Sequence, residues 1–115
     1  MIIYDLETKT FNSRVDPSAD RLKVFAWKDT VTGQAECVLH TDRERIQQIL
    51  NLPATKVGFN NWRYDDVILR REGYQIKGEI RDLYYEMRNL TIDDGWALPS
   101  YSLANICKTL GISNK

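Results

Sequence analysis

The sequence has little cysteine, little histidine and no long hydrophobic run. Two cysteines and one histidine among 115 residues are too few for a disulfide framework or for a zinc site. A reduced, intracellular compartment is therefore the expected one. No apolar run approaches the roughly 20 residues of a membrane span, and the N-terminus has no charged-then-apolar signal pattern. We expect no membrane partner.

An excess of charge of either sign is also absent, because 16 Lys and Arg residues balance 16 Asp and Glu residues. This balance excludes a strongly basic surface that would attract nucleic acid from every side. A nucleic-acid partner would have to be held locally or through metal ions. Apolar residues make up 43% and charged residues 28%, which is ordinary for a globular protein, and the length predicts one domain over 1–115.

Two carboxylates lie at the end of an apolar stretch near the start of the chain. Residues 2–8 read Ile-Ile-Tyr-Asp-Leu-Glu-Thr, and these residue types predict a buried strand. Residues two apart point to the same face of a strand, so Asp5 and Glu7 should project together while Leu6 faces the core. Two adjacent like charges repel unless a cation lies between them, and a hard ion such as Mg²⁺ or Mn²⁺ binds carboxylate oxygens. The alternative is a strand that runs into a solvated loop.

Hydrophobic periodicity predicts the remaining elements. Two alternating segments separated by turn residues predict an antiparallel hairpin, and a capping box at Thr41 predicts a helix that stops at Pro53. A last amphipathic helix should begin near Ser100 or Ser102 and end at Gly111. The two strands of the hairpin lie at 22–28 and 34–40. The other predicted elements are strands at 55–59 and 75–81, helices at 60–72 and 82–88, and a loop at 89–100.

This order predicts an α/β fold, a mixed sheet in which three antiparallel strands are followed by alternating helices and strands. In such folds the catalytic and ligand-binding residues lie at the ends of strands. A second polar group follows the fourth strand, where residues 58–66 read Gly-Phe-Asn-Asn-Trp-Arg-Tyr-Asp-Asp. If the first and fourth strands are neighbours, this strand-to-helix junction should lie near Asp5 and Glu7.

The two stretches resemble the first two motifs of the DEDD-type 3′–5′ exonucleases, a ribonuclease H-like family that includes the proofreading domains of family B DNA polymerases. Residues 2–8 are similar to the motif Asp-x-Glu with a following Thr. Residues 58–65 are similar to the motif of an Asn, two or three residues, an aromatic and an Asp. The segments that begin at Asp82 and at Tyr101 are similar to later parts of the family. The resemblance covers nearly all of the chain and implies a ribonuclease H-like fold.

The resemblance also implies an activity and a set of functional residues. Asp5, Glu7 and Asp65 match three of the four carboxylates with which the family holds two divalent ions, Mg²⁺ or Mn²⁺. Those ions activate a water and stabilise the leaving oxygen when a phosphodiester bond at a 3′ end is hydrolysed. The expected partner is single-stranded nucleic acid, with DNA favoured over RNA. The implied substrate-binding residues are Leu6, Thr8, Asn60 and Tyr64.

Several other residues have a plainer interpretation. Asp66 is the alternative to Asp65, which is preferred because it follows the aromatic directly. Trp62 could stack on a base, but we expect it to belong to the core. His40 is interpreted as structural or solvated, and Asp93 with Asp94, next to a glycine, as turn residues.

The sequence departs from the family in its third motif, where a fourth Asp and a His or Tyr general base are expected. No Asp follows Asp94. The family's C-terminal helix could be missing through truncation, a second chain could supply it, or the domain could have lost catalysis. We favour truncation, because residues 102–112 follow the family pattern. Exposed apolar patches, or self-association that covers them, are then expected.

The sequence therefore predicts a metal-dependent 3′–5′ exonuclease domain from a polymerase-associated or stand-alone nuclease, cytoplasmic and of cellular or phage origin. The alternative from another class is a catalytically incomplete module of the same fold that binds nucleic acid or protein. Metal binding distinguishes these two. An endonuclease of the same fold that cuts hybrids is a further alternative, and internal cuts instead of an end-dependent ladder would identify it.

Overall fold

The computed structural model describes residues 1–10 and 14–93, and within them the predicted strands and helices occur in the predicted order, although the strand predicted at 75–81 is confined to Ile80–Asp82. The last predicted helix and the turn residue Asp94 lie outside these residues. The loop predicted at 89–100 is wrong for 89–93, which continue the last described helix. The elements are β1 (Ile2–Lys9), β2 (Arg21–Asp29), β3 (Ala35–Leu39), α1 (Arg43–Leu50), β4 (Lys56–Gly58), α2 (Asp65–Arg71), β5 (Ile80–Asp82) and α3 (Leu83–Asp93).

The five strands form one mixed sheet in the order β3-β2-β1-β4-β5. The first strand lies at the centre, antiparallel to β2 and parallel to β4, and β4 is parallel to β5. The predicted mixed sheet and its hairpin are confirmed. Because β1, β4 and β5 run in the same direction, their carboxyl ends meet at one edge, where polar side chains of distant segments come together.

Alternation along β1 separates a core face from an exposed face. Ile2, Tyr4 and Leu6 are buried, whereas Asp5 and Glu7 are exposed, as predicted. A shift of register in the β1–β2 ladder falls between Glu7 and Thr8. This irregularity allows apolar residues three positions apart in β2 to be buried together. The core is completed by the following residues of β2, β3, α1 and α2: Leu22, Phe25, Trp27, Val38, Ile46, Ile49, Leu50, Ile68 and Leu69.

Two predicted helix ends are displaced for identifiable reasons. The cap of α1 is Asp42 and not Thr41, because the Asp42 carboxylate accepts the backbone N–H of Arg45 at 3.2 Å. The helix predicted to begin at residue 60 begins at Asp65, after a turn. Gly73 takes a φ of +94° just after α2, as expected for a residue that ends a helix.

A buried lysine fixes the other end of the parallel strands. Lys56, at the start of β4, is fully buried, and its ammonium group donates to the backbone carbonyls of Leu52, Ala54 and Lys77. These carbonyls belong to the loops that precede β4 and β5, so one side chain holds both loops. Burial lowers the pKa of Lys56. In the described part of the chain, no helix is long and apolar enough to cross a membrane.

Candidate active site

Asp65 and Asp5 are brought together at the carboxyl edge of the parallel strands. Asp65 is the first residue of α2 and is only 5% exposed. Burial raises its pKa to about 7, and the charge of Asp5 is the next largest cause, followed by that of Asp66. The backbone N–H of Leu6, which faces the carboxylate, partly offsets this rise. The buried Oδ2 atom of Asp65 has no hydrogen-bond partner among the described residues. A cation would relieve both the repulsion and the missing contact.

Glu7 lies on the same exposed face of β1 as Asp5. Burial is the main cause that raises the pKa of Asp5, and the charge of Glu7 adds to it. Over residues 1–10 and 14–93, no three His, Cys, Asp or Glu side chains are grouped closely enough to hold a metal ion. The geometry therefore contains a close Asp5–Asp65 pair with Glu7 beside it on the strand, and not a preformed cluster of three carboxylates.

A buried hydrogen-bond network lies beneath this pair. The phenol of Tyr4 donates to Oδ1 of Asp66 at 2.5 Å, and burial together with the charge of Asp66 raises the pKa of Tyr4, so it remains protonated. The amide of Asn61 donates to the Tyr4 oxygen at 2.8 Å and to Oδ2 of Asp66 at 3.2 Å. Both oxygens of Asp66 thus have donors, whereas the described residues provide none for Oδ2 of Asp65. The contrast favours Asp65 over Asp66 as a ligand.

The network depends on a glycine at the end of β4. A Cβ atom on Gly58 would lie 2.7 Å from Cγ of Asn61, a distance that carbon atoms do not tolerate. Gly58 therefore allows the Asn61 side chain to pack over the strand and reach Tyr4. The neighbouring residues of β1 and α2 carry the candidate carboxylates, so the network fixes their relative position.

Replacing Tyr4 with phenylalanine should lower the free energy of unfolding by about 1.5 to 3 kcal/mol, because a buried carboxylate loses its donor. The ring would keep its stacking on Phe25, at 6.0 Å between centroids. Urea unfolding measures the change. Tyr74→Phe is the matched control, since Tyr74 is also buried but its hydroxyl has no partner in the described chain. Equal losses in the two variants would contradict the role given to the network.

Asp82 holds the turn between β4 and α2. It ends β5, pairs in register with Gly58 and is fully buried. Its Oδ1 atom accepts the backbone N–H groups of Asn60 at 2.7 Å and of Tyr84 at 3.0 Å, and its Oδ2 atom accepts that of Trp62 at 3.0 Å. Asn60 has a left-handed backbone, with φ of +54°. These contacts explain why α2 begins late and how α3 is capped.

The predicted substrate-binding residues have contacts within the protein. The Thr8 and Tyr64 hydroxyls are 2.7 Å apart, and Tyr64 donates to Oδ2 of the fully buried Asp20 at 2.7 Å. Since a phenol has one proton, Thr8 is the donor to Tyr64. The side chain of Leu6 lies in the core, 7% exposed, so its backbone alone borders the carboxylates. The left-handed Asn60 follows β4 directly. A role for these residues in substrate binding stays a prediction.

The expectation that Trp62 belongs to the core was wrong. Its side chain is 47% exposed and stacks on Tyr85 of α3, with ring centroids 5.2 Å apart and an interplanar angle of 23°. Tyr85 meets Tyr84 edge-on at 5.2 Å, and Tyr84 meets Phe59 edge-on at 5.8 Å. The guanidinium of Arg63 lies 5.6 Å from the centre of the Tyr85 ring. The turn held by Asp82 places Trp62 outside the core.

An apolar cavity lies between Phe59 and Asp5. It has a volume of about 260 Å³ and opens on the exposed face of the sheet. Asp5 contributes to one side of it and Phe59 to another. Its lining residues are Ile3, Tyr4, Asp5, Val57, Gly58, Phe59 and Leu83.

Several solved structures share this fold. Escherichia coli exonuclease I in complex with a dT13 oligonucleotide matches with a TM-score of 0.70 and 20% identity, over 99% of this chain and 36% of that one. The zinc-bound form of the E. coli exonuclease I complex with single-stranded DNA matches with a TM-score of 0.73 and 20% identity, over 99% and 35%. Brucella melitensis NrnC matches with a TM-score of 0.63 and 18% identity, over 99% and 53%.

The chain thus spans about a third of the length of exonuclease I and about half that of NrnC. No protein-family model and no curated protein matches the sequence. At such low identities the likeness concerns the fold, and it confirms the predicted ribonuclease H-like α/β architecture.

Proposed function

We propose that the chain forms a metal-dependent 3′–5′ exonuclease domain that hydrolyses phosphodiester bonds at the ends of single-stranded nucleic acid, with DNA as the expected substrate. The observation that carries the proposal is the Asp5–Asp65 pair. It combines a buried carboxylate oxygen, for which the described residues provide no donor, with a second carboxylate, at the edge where parallel strands end. The fold shared with exonuclease I and NrnC supports the same conclusion.

The donor type of the Asp5–Asp65 pair suits a hard divalent cation. Asp5, Glu7 and Asp65 offer carboxylate oxygens, the ligand atoms that Mg²⁺ and Mn²⁺ prefer. An ion would also contact Oδ2 of Asp65, which has no hydrogen-bond partner among the described residues. Bound ions would supply an activated water and a positive charge for the leaving oxygen. A phosphodiester is itself anionic, so carboxylates attract it only when a cation reverses the local charge.

The protein's own part in this activity is positioning. Asp82 fixes the turn after β4, and the Tyr4–Asp66 contact fixes the start of α2 against β1, so the two elements that carry Asp5 and Asp65 are held together and their charges interact. Pre-organised ligands avoid the cost of rearrangement during the reaction. We propose that Leu6, through its backbone, and Asn60, Thr8 and Tyr64 border the terminal nucleotide.

One observation favours the non-catalytic alternative. The described residues contain a pair of close carboxylates but no cluster of three, and two-metal hydrolysis needs more ligands than a pair. A binding module of the same fold would hold one ion weakly or none. Self-association or a second chain over the exposed face of the sheet also stays a prediction. Ile3 and Leu83 are 45% and 44% exposed there, and sedimentation velocity tests it.

Manganese binding and strand degradation test the proposal together. We expect Mn²⁺ to raise the unfolding temperature, by a stabilisation of about 2.7 kcal/mol at a concentration 100 times the dissociation constant. A 5′-labelled single strand should give a stepwise ladder in the same buffer. Glu44→Gln on the exposed surface of α1 is the control that should behave like the parent. A folded parent that gains no stability from Mn²⁺ and gives no ladder would support the binding module, and internal cuts would support an endonuclease.

A further inference from the structure

The exposed aromatic platform on the turn after β4 has no role in the site described so far. It consists of Trp62, Arg63 and Tyr85, with Tyr84 and Phe59 behind them. Trp62 is 47% exposed although it stacks on Tyr85 at 5.2 Å. Its backbone N–H is held by the buried Asp82 at 3.0 Å, so the turn that presents the indole is anchored to the core. An anchored yet exposed tryptophan is typical of a binding surface.

The platform combines two features that suit a single nucleic-acid strand. Stacked indole and phenol rings present flat apolar surface, and every nucleobase can stack on such a surface regardless of sequence. Arg63 is exposed and lies 5.6 Å from the Tyr85 ring, and within the described chain it forms no salt bridge with a carboxylate. Its charge is therefore available to a phosphate. In a chain with no net charge, such a local contact is the kind that nucleic acid needs.

The ring contacts run from the platform toward the carboxylates. Tyr85 touches Tyr84 at 5.2 Å, Tyr84 touches Phe59 at 5.8 Å, and Phe59 lines the cavity that also borders Asp5. A strand whose end lies at Asp5 and Asp65 can therefore continue along these rings. Tyr84 and Phe59 lie between the platform and Asp5 in this series of contacts, so we infer that the platform contacts a nucleotide upstream of the terminal one.

We propose that Trp62 and Tyr85 stack on a base of single-stranded nucleic acid upstream of the terminal nucleotide, while Arg63 contacts an adjacent phosphate. This inference rests on the proposed function for the direction of the strand. It names a substrate-binding element, not a catalytic one. The platform governs affinity for long strands and leaves the chemistry at Asp5 and Asp65 unchanged.

Fluorescence anisotropy with labelled oligothymidylate, measured with Ca²⁺ as the divalent ion, tests the platform. Trp62→Ala should weaken binding of a long oligonucleotide about tenfold, within the range of about 5- to 150-fold expected for one stacked base. Trp62→Phe should restore most of the affinity. Arg63→Ala should weaken binding and reduce the slope of affinity against salt by about one ion. A labelled dinucleotide, which by this inference contacts Asp5 and Asp65 but not the platform, should bind the parent and the variants equally.

Trp62→Ala and Arg63→Ala each have a control variant that removes another exposed apolar or positively charged side chain. Leu39→Ala removes an exposed apolar side chain on the edge strand β3, and Lys77→Ala removes an exposed cation beyond α2. Both should bind oligothymidylate like the parent. Thermal unfolding verifies that each variant is folded.

The outcomes separate the platform from the proposed function. If the parent binds and degrades single strands while Trp62→Ala binds them equally well, the platform is refuted and the exonuclease proposal stands. If the parent binds single strands and Trp62→Ala weakens that binding, but the parent never degrades a strand, the binding role of the platform is supported and the exonuclease proposal is refuted. If the parent binds no single strand, both fall. A platform that holds protein instead would show as self-association lost in Trp62→Ala with no binding of nucleic acid, which also refutes the inference.

Discussion

Asp65→Asn should hydrolyse a 5′-labelled single strand about 10²- to 10³-fold more slowly than the parent in the presence of Mn²⁺, the scale of losing one preorganised electrostatic group. Asparagine keeps the shape of the side chain but removes the charge that an ion requires. The buried Oδ2 of Asp65, which has no donor in the described chain, is the atom whose charge is lost. Initial rates of ladder formation measure the effect.

The neighbouring Asp66 provides the discriminating comparison. Both its oxygens accept hydrogen bonds from Tyr4 and Asn61, and an asparagine there keeps one acceptor for Tyr4, so Asp66→Asn should lower stability and slow the folded fraction far less than Asp65→Asn does. The assignment of Asp65 fails if a folded Asp66→Asn protein loses activity while Asp65→Asn retains it. Equal activity of both variants with the parent would show that neither carboxylate holds a catalytic ion.

The same Asp65→Asn change should stabilise the metal-free protein at alkaline pH by roughly 2 to 4 kcal/mol. Burial and the charge of Asp5 raise the pKa of Asp65 from 3.8 to about 7, so between these values the folded chain holds a proton that the unfolded chain has released. The free energy of unfolding of the parent therefore falls as pH rises from about 4 to 7 and stays low above that range. A difference of about three pKa units corresponds to roughly 4 kcal/mol. Urea unfolding over this range, with a chelator present, measures it.

A control variant whose stability should change in the opposite direction distinguishes the effect of Asp65 from a general effect of removing a carboxylate. The backbone N–H of Val31 lowers the pKa of the Asp29 carboxyl, so Asp29→Asn should lose stability at neutral pH, where Asp65→Asn gains it. Added Mn²⁺ should flatten the pH profile of the parent, because an ion stabilises the ionised carboxylate. Parallel profiles for the parent and Asp65→Asn would show that the pKa of Asp65 is not raised.

Together these two predictions describe a residue that reduces stability and is expected to provide function. A buried carboxylate beside another carboxylate is costly in the metal-free fold, and its replacement by a neutral isostere relieves the cost. Such a trade between stability and activity is common in functional sites. It makes Asp65 the residue at which the proposed activity can be tested without unfolding the protein.

The first strand shows how much the sequence could predict. Alternation along β1 correctly predicted that Asp5 and Glu7 share an exposed face and that Leu6 is buried, because the period of a strand is a local property. The position of Asp65 near Asp5 followed from strand neighbours and from motif order. These two steps required no knowledge of which side chains touch.

The features that the sequence did not predict depend on contacts between distant residues. Tyr4 and Asp66 are 62 positions apart, and Asp82 binds the amide of Asn60 across 22 positions. Sequence patterns contain no sign of such pairs, although an aspartate between a strand and a helix suggests a cap. Trp62 was expected in the core because most aromatics are buried, and it is exposed because Asp82 sets the path of its turn.

The position of β1 at the centre of the sheet has a consequence for the order of folding. Its antiparallel partner β2, and β3 on the far side of β2, follow closely in sequence, whereas its parallel partner β4 lies beyond α1. Closing that longer loop costs more chain entropy and belongs to the slow, non-local part of folding. An intermediate or a nascent chain that contains only the hairpin and β1 has Asp5 and Glu7 but no Asp65. The pair on which the proposed activity depends therefore first exists when the parallel half of the sheet docks.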